Sequence, residues 1–230
     1  MKRVKGRHMP VTVVGVGPAE GYLTERAKDI ISRAEVVFGS RRALKLAEPY
    51  IRGEKVEMTR FSDEELNTIQ KAGIEKEVAV LSTGDPMVSG LGTLVKGRVE
   101  PGISSVQLAL ARLGIDLCEV VVIDAHARES YHEIFQALRF RNRVLILADR
   151  KFDLNRLLEP GNSERVKIEK FTILTNLGME DEEIMEINLT GNVAPEDINF
   201  ALKSDLTIIY VESEDLAGNK SGSQTSEVKR

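Results

Sequence analysis

Two α/β domains, the first with a mainly parallel sheet and the second with a mixed one, are predicted by three observations on the 230-residue sequence. Short apolar runs alternate with amphipathic stretches through the first half, as they do when parallel strands are joined by crossover helices. From Val166 onward, strand-like runs follow one another with only polar loops between them, as expected of a mixed or antiparallel sheet. The chain is 42% hydrophobic and longer than one average domain of roughly 150 residues, so two cores can be packed. The predicted limits are 10–115 and 116–213. A small, polar, aperiodic tail over 214–230 is expected to be mobile.

The first element, "VTVVGVG" (Val11 to Gly17), reads as a buried strand. In "YLTERAKDIISRA", Leu23, Ala27, Ile30, Ile31 and Ala34 recur at helical spacing and Thr24 is placed to cap the N-terminus. "EVVFG" is a second buried strand, ended by Gly39. A basic amphipathic helix over "SRRALKLAEPY", a short strand near "KVEM" and a polar helix near "SDEELNTIQKAG" follow. "EVAVLS" is another buried strand, and a loop from Gly84 to Gly90 leads into a short helical stretch. In "VEPGISSVQLALARLG", Ser104 or Ser105 caps a helix that Gly114 closes. The chain crosses to the second domain near "GIDLCEVVVIDAH". Next come a helix in "ESYHEIFQALRF", a strand in "RVLILAD" and a helix in "FDLNRLLEPG". "VKIEKFTIL", "EEIMEINL" and "DLTIIYVE" are the final strands.

Composition excludes several functions. Net charge is −4, with 23 Lys and Arg against 20 Asp and Glu in the first 150 residues and 9 against 16 in the remainder. Such a chain, with no Trp and 5% aromatic residues, lacks both the phosphate-neutralising cations and the stacking platforms of a nucleic-acid binder. Cys118 is the single cysteine and the histidines stand at 8, 126 and 132, so neither a disulfide nor a zinc-type cluster is expected. The basic start "MKRVKGRHMP" lacks the apolar stretch of a secretion signal, and no run approaches the roughly 20 apolar residues of a membrane span. A soluble cytoplasmic protein is expected.

Two glycine-containing loops carry the chemistry. "GVGPAEG" invites a dinucleotide reading, but Pro18 interrupts it, the helix starts only near Thr24, and the second strand ends in "GSRR" rather than in an acid. A tight turn and a ligand-facing loop without phosphate remain open, as does a nucleotide site in which Arg41 meets a 2′-phosphate. "LSTGDPMVSG" and "PGISS" both lie where strands feed helices, the edge that lines the crevice of an open parallel sheet. Their glycines admit close backbone approach, Asp85 offers an acceptor, and Ser104 and Ser105 offer hydroxyls. With no Walker lysine, such a site suits a zwitterion or a cation with a ribose better than a triphosphate.

These pieces, in this order, resemble the tetrapyrrole methylases, a family of S-adenosylmethionine-dependent enzymes. The resemblance rests on "VTVVGVGP", "LTERAKDIISRAEVVFGSRRAL", "LSTGDPMVSGLGTL", "PGISSVQLALARLG", "DAHARES" and "TNLGMEDEEI", and covers about residues 10 to 190. Within the family it is most similar to the branch that methylates carbon 5 of cobalt-precorrin-7 in cobalamin synthesis. It implies a cofactor cleft between the two domains, with Pro18, Thr83, Gly84, Asp85, Val88, Ser104, Ser105 and Ala148 touching S-adenosylmethionine. There are two departures. The stretch from Gly90 to Pro101 is short for the usual helix plus strand, so one edge of the first sheet should be trimmed, and Ala127 stands where a glycine is expected.

The substrate so implied is a cobalt-precorrin with several ionised acetate and propionate groups. Arg41, Arg42, Arg112, Arg128 and His126 are the candidates to bind it. No protein-bound metal and no catalytic base are assigned, because placement of an already activated methyl group can supply most of the catalysis. Arg139, Arg141 and Arg143 read as a solvated helix end, His132 as structural, and Asp124, Asp149 and the "EDEE" run from Glu180 as turn or surface residues. Beyond residue 190 only the end of a sheet and the tail are expected. One methyl transfer without decarboxylation is therefore implied, with a separate C(15)-methyltransferase/decarboxylase as pathway partner and a homodimer or higher oligomer as assembly. The alternatives are a methylase of the same family acting on another corrin carbon or a diphthine precursor, a tetrapyrrole carrier, and an NADP-binding reductase component.

Overall fold

A computed structural model describes residues 10–126, 128–158, 166–189 and 202–214. The tail from 215, the departure at Ala127 and the end of the helix expected in "FDLNRLLEPG" lie outside these residues. The first sheet is parallel throughout, with strands β1 (Val11–Gly15), β2 (Val36–Gly39), β3 (Glu54–Glu57), β4 (Val78–Ser82) and β5 (Arg98–Glu100) in the order β3-β2-β4-β1-β5. Every residue of β4 is buried because both faces are covered. On one face Val14, Val37, Ala79 and Leu81 pack with α1 (Glu25–Arg33) and α2 (Arg41–Ala47). On the other, Val13, Val36, Phe38, Val78 and Val80 pack with Ile69 of α3 (Asp63–Ala72). Alternate residues of one strand thus serve two cores, as the twofold period of a strand dictates.

Capping follows the sequence. Thr24 accepts from Ala27 N at 3.1 Å, and Ile30 and Ile31 complete the apolar face of α1. Ser62 and Glu65 form a capping box on α3, and Ser104 and Gln107 form one on α4 (Ser105–Leu113), which ends at Gly114 with φ +67°. Ser104→Ala is expected to cost about 1 kcal/mol, checked by urea denaturation. Little change would mean that water replaces the cap.

The second sheet is mixed, with strands β6 (Val121–Asp124), β7 (Arg143–Ala148), β8 (Ile168–Thr175), β9 (Glu183–Asn188) and β10 (Thr207–Ser213) in the order β6-β7-β10-β8-β9. Only β6 and β7 are parallel, joined through α5 (Tyr131–Phe140); the remaining pairs are antiparallel. One face packs on Ile134, Phe135 and Leu138 of α5. The other, through Leu145, Leu147, Leu174, Ile208 and Tyr210, packs on Val106, Leu108, Ala109 and Leu110 of α4. That helix follows the first sheet in the chain but its apolar side belongs to the core of the second, so it ties the two together.

One local expectation changes. "FDLNRLLEPG" makes one 3-10 turn, Leu154–Leu157, with Asp153 accepting from Asn155 N, because Phe152, Leu154 and Leu157 are all buried at a spacing a short turn satisfies. Between Gly90 and Pro101 the chain forms a 3-10 turn, Leu91–Thr93, and the three-residue edge strand β5, a strand too short to be read from its pattern.

Candidate active site

The carboxyl ends of β1, β4 and β5 converge. Gly17 and Gly84 pair across their loops, Gly84 N donating to Gly17 O at 2.8 Å and Gly17 N to Gly84 O at 3.3 Å. Gly102 packs against both Gly15 and Gly84: a Cβ there would lie 2.4 Å from Gly84 O and 2.8 Å from Gly15 Cα. Gly84 itself has φ +68°, and a Cβ on it would meet nothing nearer than Ser104 Cα at 3.9 Å. Its side-chain face is an opening, where a substituent would occupy ligand space. Asp85 fastens the loops together, accepting from Met87 N at 2.7 Å and from Gly102 N at 3.0 Å.

These loops form one wall of a cavity of about 250 Å³. Pro18, Thr83, Gly84, Asp85, Val88, Ser104 and Ser105 all line it. Ser104 is itself engaged, accepting from Gln107 N and donating to Gln107 Oε1, both at 3.1 Å, so Ser105 carries the freer hydroxyl. Ala148 is fully buried and is not among the lining residues; its neighbour Leu147 is. The opposite wall comes from Asn176, Leu177 and Met179 after β8 and from Asp205 to Ile208 entering β10. Asn176, at φ +51°, is held by Ser204 Oγ donating to its Oδ1 and by its own Nδ2 donating to Asp181, both at 2.7 Å. This wall depends on the β8–β10 register, for which no local motif exists.

The five predicted substrate residues separate. Arg42, half-buried on the first turn of α2, lines the cavity and donates to Pro18 O. Burial lowers the pKa of its guanidinium, and among the described residues no carboxylate pairs with it. His126 also lines the cavity. Arg41 is exposed and does not line it. Arg112 is clamped by Glu182, its Nε at 2.6 Å and Nη2 at 3.2 Å, and this bidentate pair raises its pKa. Arg128 reaches Asp124 O at 2.6 Å and Glu133 at 2.7 Å. Each of the last two already has an acidic or carbonyl partner outside the cavity.

Asp124, read from sequence as a turn residue, joins the two halves of the site. One carboxylate oxygen accepts from Ser89 Oγ of the Gly84–Gly90 loop; the other accepts from His126 N at 3.0 Å and contacts His126 Nδ1 at 2.9 Å. Partial burial pushes the Asp124 carboxyl up, but the bonds from Ser89 and His126 outweigh it and hold the group below the usual carboxylate range. An ionised carboxylate only accepts, so the proton of neutral His126 sits on Nδ1 and Nε2 keeps its lone pair. A link spanning 35 residues of sequence gives no local signal. Among the described residues, no group of His, Cys, Asp and Glu is arranged to hold a metal, and no helix is long and apolar enough to cross a membrane.

Two α/β domains with a lysine-free cavity between their sheets, one wall of it set by glycine-bearing loops at three strand ends, define the fold. The chain belongs to the tetrapyrrole (corrin/porphyrin) methylases, whose sequence model matches residues 10–191. It is 33% identical over 191 residues to the probable cobalt-precorrin-7 C(5)-methyltransferase of Methanocaldococcus jannaschii, covering 76% of this chain and 87% of that protein. To the cobalt-precorrin-7 C(5)-methyltransferase of Salmonella typhimurium it is 31% identical over 186 residues, covering 76% and 88%. A crystal structure of the cobalamin-biosynthesis precorrin-6Y methylase of Archaeoglobus fulgidus superposes with a TM-score of 0.72 at 44% identity, covering 90% of this chain and all of that one.

Proposed function

We propose that the chain transfers a methyl group from S-adenosylmethionine to carbon 5 of cobalt-precorrin-7 in anaerobic cobalamin synthesis. The observation that carries this reading is the cavity wall itself: the open face of Gly84, two carboxylates already held by backbone N–H groups or an arginine, hydroxyls and no lysine. That lining fits a ligand with ribose and amino-acid groups and no phosphate. It also argues against the NADP-binding alternative, since a pyrophosphate needs a helix N-terminus starting on the glycines and Gly17 is followed by a turn reaching Thr24.

S-adenosylmethionine, when bound, supplies a methyl group already activated on its sulfonium. In this reading Pro18, Thr83, Gly84, Asp85, Val88, Ser104 and Ser105 hold it, with Ala148 contributing through the strand end beside Leu147. Asp85 acts chiefly by fixing the loop, since each of its oxygens already accepts a backbone N–H. Arg42 and His126 face the tetrapyrrole, while Arg41 adds positive charge nearby and Arg112 and Arg128 serve in ion pairs with Glu182 and Glu133. Residues 10–115 and 116–213 are the two domains that flank the ligands, in a cytoplasmic enzyme that works as a homo-oligomer. Neither nucleic acid nor membrane is a partner.

Calorimetry with S-adenosylhomocysteine and with NADP(H) tests the cofactor. Binding of the first alone is expected, weakened about tenfold or more in Asp85→Ala, on the scale of losing two charge-assisted hydrogen bonds. Binding of NADP(H) instead would overturn the reading. Mass spectrometry of the product formed from cobalt-precorrin-7 tests the substrate: one added methyl group, located at carbon 5, is expected. Methylation at a different carbon would keep the reaction class and overturn the substrate.

A further inference from the structure

We infer that His126 is the proton acceptor of the methylation, oriented by Asp124, which Ser89 in turn locks from the opposite side of the cleft. The inference rests on the methyltransferase reading above. Methylation leaves a proton to be removed. A macrocycle carbon uses an electron pair to bond the methyl group, the methyl–sulfur bond breaks, and its electrons stay on sulfur, which becomes a neutral thioether. The positive charge passes to the macrocycle. It is discharged when a macrocycle C–H bond breaks, its electrons return to the conjugated ring, and the proton goes to His126 Nε2 to give an imidazolium.

The geometry supports this assignment. His126 lines the cavity, and its Nδ1 lies 2.9 Å from Asp124, which fixes the tautomer with Nε2 unprotonated. The same carboxylate oxygen takes the His126 backbone N–H at 3.0 Å, so side chain and main chain are held by one group. Asp124 cannot swing away, because its second oxygen accepts from Ser89 Oγ and its carbonyl accepts from Arg128 Nε at 2.6 Å and from the buried Ser130 Oγ at 3.1 Å. Ser89, at φ +53°, belongs to the same loop as Gly84 and Asp85. The loop proposed to hold the cofactor therefore also sets the position of the base. Ser89 bonds to the carboxylate and not to the imidazole, so the array is not arranged to activate a serine nucleophile. The other charged groups lining the cavity are Arg42, Asp85 and Asp205, the last paired with Arg150 at 2.7 Å. Of these, Asp85 and Asp205 are held by backbone or arginine partners, whereas among the described residues no partner takes up His126 Nε2.

The test combines two readouts on the full chain. Nitrogen-15 NMR of histidine-labelled protein with S-adenosylhomocysteine should show His126 as the Nδ1–H tautomer, and Asp124→Asn should abolish that preference; an Nε2–H tautomer in the wild type would overturn the proposal. Single-turnover methyl transfer should slow about 100-fold or more in His126→Gln, the range of a positioned general base, with S-adenosylhomocysteine affinity within about twofold. The acid limb of the rate profile should vanish in that variant, and Ser89→Ala should slow transfer several-fold through Asp124. An unchanged pH profile in a His126→Gln enzyme that still binds S-adenosylhomocysteine would overturn the base. Failure of the wild type to bind S-adenosylhomocysteine would overturn the underlying methyltransferase reading instead.

Discussion

Gly102→Ala is expected to destabilise the protein by about 3 kcal/mol or more, as severe overpacking does, and to reduce S-adenosylhomocysteine affinity at least tenfold. The added Cβ would lie 2.4 Å from Gly84 O, 2.8 Å from Gly15 Cα and 2.9 Å from Gly15 C. All three are backbone atoms, so no rotamer change can relieve the clash, and one of the three strand ends must move. Moving the Gly102 loop also pulls its N–H from Asp85, which then holds only Met87 N. Stability and binding should therefore fall together. Gly114→Ala provides the control. It has a positive φ of 67°, which Gly102 does not share, and open space around a Cβ, so it should cost only the backbone term of about 1 to 2 kcal/mol and leave binding unchanged. Denaturant titration and calorimetry of both variants make the comparison. Equal effects would show that the backbone contacts of Gly102 cost no more than the positive φ of Gly114, and would overturn the contact argument.

The same contrast explains how much of the molecule can be read from its sequence. Features governed by one or two turns of chain were legible: the Thr24 cap, the apolar face of α1, the buried run of β4, the Gly114 terminator and the Gly84 to Gly90 loop at a strand end. Each depends on local sterics and on a period of 2 or about 3.6 residues. The wall contributed by Asn176 to Met179 and Asp205 to Ile208 was not legible, because it exists only where β8 and β10 pair in one register. The arginines show the same limit. Arg41 and Arg42 are adjacent in a helix, and about 100° of rotation per residue separates an exposed side chain from one lining the cavity. Arg112 and Arg128 stand at plausible positions in the chain, yet Glu182 and Glu133, one distant in sequence and one near, already engage them.

Arg42→Ala is expected to raise the KM for the tetrapyrrole by about 30-fold, corresponding to roughly 2 kcal/mol for truncating one partner of a desolvated charge pair. The size follows from the environment of this guanidinium. It is half-buried, burial disfavours its charge, and among the described residues its one hydrogen-bond partner is the Pro18 carbonyl and no carboxylate pairs with it. A ligand carboxylate would supply the missing counter-charge within a partly water-excluded cavity, where the attraction is screened less than at the surface. Arg41→Ala, one position away and exposed, should change KM by less than about twofold, as expected of a surface charge. The wild-type KM should rise with ionic strength, and that dependence should weaken in Arg42→Ala. Arg42→Lys keeps the charge but loses the forked donor geometry, so it should recover part of the salt dependence and little of the affinity. Calorimetry decides which ligand is held. If S-adenosylhomocysteine affinity stays within about threefold of wild type while KM rises, Arg42 grips the tetrapyrrole. If the cofactor product loses affinity as strongly as the substrate, the guanidinium and the Pro18 carbonyl act together on the amino-acid end of the cofactor, and the carboxylates of the macrocycle must be held elsewhere on the cleft.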